Sequence, residues 1–305
     1  MNFRAVLIAV VQTMALFSAG LVIPLLGQAL GLFTPVPVIL ASLRAGRREG
    51  MAAVAVSTAL CALLGWETSL VYVVSFGLMS LAIAEGMLRA MKPERIALLG
   101  GLLPLAVVAP VVAVYFIRVG KNPFEYADAL LRSNISEAAK LYAGMGLKEA
   151  ASLINSVPDK FIYYFVRLAP GITTAISVLQ AACCYGMARA VLARRQVPAP
   201  AGISFAVWHA PDSWVWGLIA SLVLLIVTGE PARLAGWNLA IVFALVYLTQ
   251  GTAIVEFYLR KIRIRPVMRG IIIGLLLALP ALVFIIALGI VDIWADVRKV
   301  RGPAP

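Results

Sequence analysis

The chain has 305 residues, of which 62% are apolar and only 13% charged, and its mean hydropathy is +0.97. Soluble domains carry about 25% charged residues, so this balance excludes a water-soluble globular fold and sets the class as an all-α polytopic transmembrane bundle. The net charge of +12 is no nucleic-acid footprint, because the lysines and arginines punctuate apolar runs and form no basic stripe interleaved with aromatics.

In chain order, nine runs are long and apolar enough to cross a bilayer, at about 4–20, 21–42, 51–65, 69–88, 96–116, 161–190, 214–228, 239–259 and 270–291. The second is interrupted by Pro24, Pro35 and Pro37 and the seventh is short, so eight spans is the alternative count. The first run is expected to stay in the membrane as a span, since further spans follow at once. Residues 1–305 read as a single integral membrane domain. Placing the N-terminus in the cytoplasm puts fifteen of the 26 basic residues inside, among them Arg4, Arg44, Arg47, Arg48, Arg89, Lys92, Arg95, Arg189 and the Arg260–Arg269 cluster. The short loops around Glu67 and Glu230 then lie outside. Arg298, Lys299 and Arg301 of the tail are the misfit under nine spans.

One polar insertion, 117–160, interrupts the runs and is expected to lie outside the membrane core on the extracytoplasmic side. Phe124, Ala127, Leu130 and Leu131 share one helical face, Ser136 can cap a second helix, Gly144 and Gly146 end it, and a third apolar-sided segment runs from Leu147 to Pro158. Interfacial packing and a lid over an external cavity are both open readings.

Polar groups at membrane depth are costly and face protein or a wet cavity. Glu85 with Arg89, and Glu256 with Arg260, form two i, i+4 pairs. They read either as interfacial ion pairs that let each arginine snorkel or as coupling or gating carboxylates. Each precedes a basic loop and a proline-containing span, Gly101-Leu-Leu-Pro104 and Gly274 to Pro280, a spacing that a parallel internal repeat would give. Thr173, Ser177 and Gln180 form a continuous polar stripe beside Pro170-Gly171, where a break is expected to free backbone groups. Helix-to-helix hydrogen bonding and a polar ligand site compete for it, and it ranks first among the binding candidates. Trp208, His209 and Asp212 stand in an aromatic segment ending at Trp216, either as a boundary anchor with a helix cap at Asp212 or Ser213, or as a second ligand contact.

No phosphate-binding GxxxxGK[ST] loop, HExxH or GxSxG motif is present, His209 is the sole histidine, and Cys61, Cys183 and Cys184 have no ligand spacing. The expectation is therefore no catalytic residue, no metal, no cofactor, no enzyme activity and no ATPase of its own.

Pro35-x-Pro37 followed by Leu43-Arg44-Ala45-Gly46 and Gly50, the segment from Phe205 to Trp216, Gln250-Gly251, and the ending from Leu288-Gly289 through Asp292, Trp294 and Asp296 to Arg298 together resemble the YybS-like family of bacterial membrane proteins. That resemblance covers nearly the whole chain and implies residence in the bacterial cytoplasmic membrane. The N-terminal part also resembles the substrate-binding subunits of energy-coupling-factor vitamin transporters, where a proline-containing second span precedes a turn like Gly46 to Gly50. The resemblance implies a small-molecule ligand and a partner membrane subunit docked on Ala5 and Ala9 of the first span. The leading expectation is a small-molecule binding or transport protein of that kind. The alternative is a scaffold or regulator acting through helix–helix contacts.

Overall fold

The computed structural model describes residues 2–23, 26–195, 204–277 and 281–299; Pro24, Pro280 and Arg301 of the sequence reading lie outside them. Every regular element among the described residues is a helix: α1 (Phe3–Val22), α2 (Leu26–Gly31), α3 (Val36–Arg44), α4 (Arg47–Ala62), α5 (Trp66–Tyr72), α6 (Leu78–Leu88), α7 (Pro93–Val119), α8 (Pro123–Gly144), α9 (Lys148–Asn155), α10 (Asp159–Arg194), α11 (Val215–Ile226), α12 (Glu230–Lys261), α13 (Pro266–Leu276) and α14 (Ala281–Ala295). A π-helical turn, Val73–Gly77, joins α5 to α6.

Six stretches among the described residues are long and apolar enough to cross a membrane: α1, α2 with α3, α5 through α6, α7, α10 and α12. The bent pair α13 and α14 makes a seventh if taken as one span. The two remaining runs of the sequence reading fall on helices shorter than a full crossing. α4 has 16 residues and begins with Arg47, Arg48 and Glu49, so it rises about 24 Å against a hydrocarbon core of about 30 Å. α11 has only 12 residues.

The chain forms two compact units. The first comprises Met1–Val108, Thr174–Val215 and Phe243–Pro305; the second comprises Ala109–Thr173 and Trp216–Val242. In the first unit, α1 turns Val6, Ala9, Val10 and Phe17 inward against Val38, Ala53 and Tyr72. A second core gathers Ile39, Met79, Ile83, Met87 and Ile96 with Ala181, Cys184 and Leu192 of α10. Small residues let backbones touch where no hydrophobic force separates helix from lipid. Thus Gly251 of α12 lies against Ile285 of α14, and Gly289 of α14 lies against the Tyr247 carbonyl and the Gly251 nitrogen.

The second unit holds the insertion. Asn122 caps α8 by accepting from the Phe124 N–H, with Pro123 in the first turn. α8 runs unbroken through Ser136 to Gly144, which corrects the expected cap at Ser136: a mid-helix serine costs little in a helix this long, and Glu137, Ala138, Ala139 and Lys140 after it are good helix formers. The turn at Gly146 has φ +81° and leads into α9. Arg167 of α10 pairs with Asp128 of α8 at 3.0 Å and stacks over the Tyr163 ring, and Arg132 pairs with Asp159.

A cavity walled by a pinned aromatic turn

Sequence reasoning expected a helix break at Pro170-Gly171, and the structure corrects it. α10 is continuous through both residues. Proline lacks the N–H that would bond back one turn and its ring crowds the preceding carbonyl, so the ladder opens locally, and the side chain of Asn238 closes it. Asn238 Oδ1 accepts from the Gly171 N–H at 2.6 Å, while its Nδ2 donates to the Arg167 carbonyl at 3.0 Å and the Leu234 carbonyl at 2.8 Å. A side chain at position 171 would collide with Asn238, its Cβ falling 2.7 Å from the Asn238 carbonyl oxygen. The freed backbone groups are thus taken up inside the second unit.

The true interruption lies in the second span, at residues 32–35 between α2 and α3. Thr34 donates to the Gly31 carbonyl through both its N–H and its hydroxyl. The Leu32 carbonyl accepts from Gln180 Nε2 at 3.0 Å and from Cys184 Sγ at 3.3 Å. Ser177, the next stripe residue, donates to the Gly101 carbonyl at 2.8 Å, and Gly101 lets the two helices approach so closely that a Cβ there would lie 2.6 Å from Val178 Cα. Thr173 bonds back to the Ala169 carbonyl of its own helix. The three stripe residues therefore serve backbone carbonyls, two of them across helices.

Beside the stripe, one face further round α10, lies a cavity of about 410 Å³ within the first unit. Leu179, Ala182, Cys183, Tyr185, Gly186 and Arg189 form its α10 wall. Leu245, Leu248, Thr249 and Thr252 of α12 face it, Pro93, Glu94 and Ala97 of α7 contribute a third side, and Phe205, Trp208 and Leu277 complete it. Its size falls in the range of small-molecule pockets. Thr249 and Thr252 spend their hydroxyl protons on the Leu245 and Leu248 carbonyls, so they meet the cavity as acceptors only. The Arg189 guanidinium lies over the Tyr185 ring, 5.7 Å from its centroid.

The Phe205–Trp208 wall is held by a buried polar network. Arg298 donates from Nη1 to the Ala206 carbonyl at 2.8 Å and the Trp208 carbonyl at 3.0 Å, and from Nη2 to Asp292 Oδ2 at 2.9 Å. Asp292 also accepts from Gln250 Nε2 at 3.0 Å and, through Oδ1, from the Val297 N–H at 2.9 Å; Gln250 Oε1 accepts from the Ala210 N–H at 3.1 Å. The side chains of Arg298 and Asp292 are 0% and 1% exposed. Taking two charges out of water costs several kcal/mol each before their mutual attraction is counted, so this network holds the chain from Ala206 to Ala210 at considerable cost.

The other sequence candidates fall as follows. Trp208 lines the cavity, while His209 and Asp212 are exposed, with His209 Nδ1 3.2 Å from the Ala210 carbonyl oxygen. Glu85 pairs with Arg89 as spaced and also takes Arg47 of α4 in a two-pronged bond of 2.7 and 3.0 Å. Glu256 pairs with Arg260 and with Arg269 of α13 at 2.8 Å. Neither carboxylate lines the cavity. Ala9 is 2% exposed and packed inward, and Ala5 is half-buried; the open face of α1 is instead Phe3, Leu7, Ile8 and Val11. No group of three metal-ligating side chains exists among the described residues.

Sequence reasoning missed Asn238, Arg47, Arg269 and the cooperation of Gln250, Asp292 and Arg298. The last three stood within the motif residues of the family resemblance, and what the sequence alone conceals is that those separated motifs meet. No curated protein matches the chain, and no solved structure does. A family described as "Predicted membrane protein (DUF2232)" matches residues 11–293, all but the two ends, and the chain belongs to that membrane protein family.

Proposed function

We propose that this is a small-molecule binding membrane protein, a transport component without an ATPase or other enzyme activity of its own, and that its ligand sits in the α7–α10–α12 cavity. The observation that supports this reading is the wall: a buried charge pair and a glutamine are committed to holding Phe205 and Trp208 against a cavity of about 410 Å³. Pre-set walls lower the ordering cost of binding. The resemblance of the N-terminal part to energy-coupling-factor substrate-binding subunits supports the same direction, with energy supplied by a partner subunit.

On this reading the chain is one membrane domain in the bacterial cytoplasmic membrane with its N-terminus inside and the 117–160 insertion outside, and α4 and α11, short as helices, cross with their flanking residues and local thinning of the bilayer to complete a nine-span count. The Glu85 and Glu256 clusters act as interfacial anchors. The scaffold alternative gains no support from the small-residue faces, because Ala9, Gly251 and Gly289 are already consumed by internal packing.

A thermal-shift screen of purified protein in detergent against metabolites, vitamins and lipid precursors tests it. Gly186→Leu fills the cavity, since a Cβ at Gly186 meets nothing within 4 Å; it abolishes the ligand shift, whereas Ser177→Ala preserves it. A shift that survives Gly186→Leu and vanishes in Ser177→Ala returns the site to the polar stripe and sinks the cavity reading.

A further inference from the structure

The cavity is polarised along its length. On α10 its lining runs from Leu179 to Arg189, ten residues or about 15 Å of helix. Glu94, in the first turn of α7, and Arg189, one turn before the end of α10, are its charged groups. The rest of the wall is mostly leucine, alanine, proline and aromatic ring; the Thr249 and Thr252 hydroxyl protons are already spent, and the Tyr185 hydroxyl, the Trp208 indole N–H and the Cys183 thiol are its other polar groups. A polar, water-soluble ligand would leave its own donors and acceptors unmet along most of that length. Leu179 and Phe205 are 41% and 42% exposed, so the apolar stretch is not sealed, and α7, α10 and α12 around it are helices of bilayer length.

We infer that the ligand, on the reading proposed above, is an amphipathic lipid: its chain lies along Leu179, Leu245, Leu248 and Trp208, and its head sets an anionic phosphate or carboxylate on Arg189 and a hydrogen-bond donor on Glu94. A guanidinium suits either anion through its fork of N–H donors. Glu94 disfavours a head that is anionic and nothing more, and selects one bearing an amine or hydroxyl as well.

The test uses the full chain in nanodiscs with three lipids carrying a diazirine in the tail: a phosphatidylethanolamine, a free fatty acid and a diacylglycerol. Cross-linked peptides are read by mass spectrometry. The phosphatidylethanolamine is expected to mark residues 179–189 and 245–252, and Gly186→Leu is expected to lower that yield by about tenfold or more, the response to a loss of one tenfold step in affinity. Labelling of the exposed α1 face at Leu7 and Ile8 stays constant and controls for folding and for lipid contact in general. Arg189→Gln lowers the phosphatidylethanolamine yield and leaves the diacylglycerol yield alone, while Arg189→Lys retains most of it. An Arg189-dependent signal from the fatty acid alone supports the amphiphile with a carboxylate as its source. Equal yields from all three lipids, indifferent to Arg189→Gln, overturn the head-group assignment. If no lipid marks the cavity while a water-soluble compound gives a thermal shift lost in Gly186→Leu, the lipid class falls and the binding reading stands. Absence of both signals defeats both.

Discussion

Arg298 shows how much one residue can hold. Its guanidinium is fully buried and joins the end of α14 to two carbonyls of the Phe205–Trp208 turn. Arg298→Ala leaves the Asp292 carboxylate buried and unpaired, a loss of about 3–5 kcal/mol, which a detergent melting curve reads as a large drop in Tm. Asp292→Asn combined with Arg298→Met removes both charges and recovers part of that stability, yet still releases the turn, so ligand shifts stay lost while Tm rises. Asn238 acts at the same scale in the second unit. Asn238→Leu strands the Gly171 N–H and the Arg167 carbonyl, at about 1–3 kcal/mol for each group left unmet, and lowered Tm with faster hydrogen exchange at Gly171 is the expected outcome. Arg298 also drops out of the charge count of the tail, since it is paired within the fold and is no free topological signal.

Among elements, the pairing of α12 with α14 rests on glycine. A Cβ on Gly289 would run into the Tyr247 carbonyl, and one on Gly251 into the Ile285 carbonyl. Gly289→Ala therefore forces two backbones apart, and the resulting destabilisation is expected to exceed that of any exposed helical glycine. Gly270→Ala on α13 is the control. It meets nothing within 4 Å and gains about 0.5–1 kcal/mol of helix propensity. The helices themselves were legible from composition, because apolar runs of bilayer length have few alternatives. The break was not. Pro170 and Pro35 look alike as letters, but α10 keeps its continuity because Asn238, 67 residues beyond Gly171, repairs it, and no local pattern announces such a partner. The stripe of Thr173, Ser177 and Gln180 was visible for the same reason that it misled: helical spacing gives a shared face but does not say whether backbone or ligand meets it.

For the whole molecule, the sequence settles the membrane class and the structure locates the cavity, which needed tertiary information because its wall draws on α7, α10, α12 and a turn. The most apolar lining residues carry no signal in a chain that is 62% apolar. On the proposed topology α7, α10 and α11 each cross between Lys92 and Glu230, so tags at those positions are expected to report opposite compartments in a protease-protection assay; the same compartment for both rejects that topology. The cavity itself is tested most directly by the thiol in its wall. Cys183 is exposed and lines the cavity, whereas Cys61 and Cys184 are buried. In intact membranes, a membrane-permeant maleimide is expected to modify Cys183 alone, and Gly186→Leu to slow that reaction by about tenfold or more, the equivalent of about 1.4 kcal/mol. Unchanged modification of Cys183 in Gly186→Leu, or equal modification of Cys184, would contradict the account.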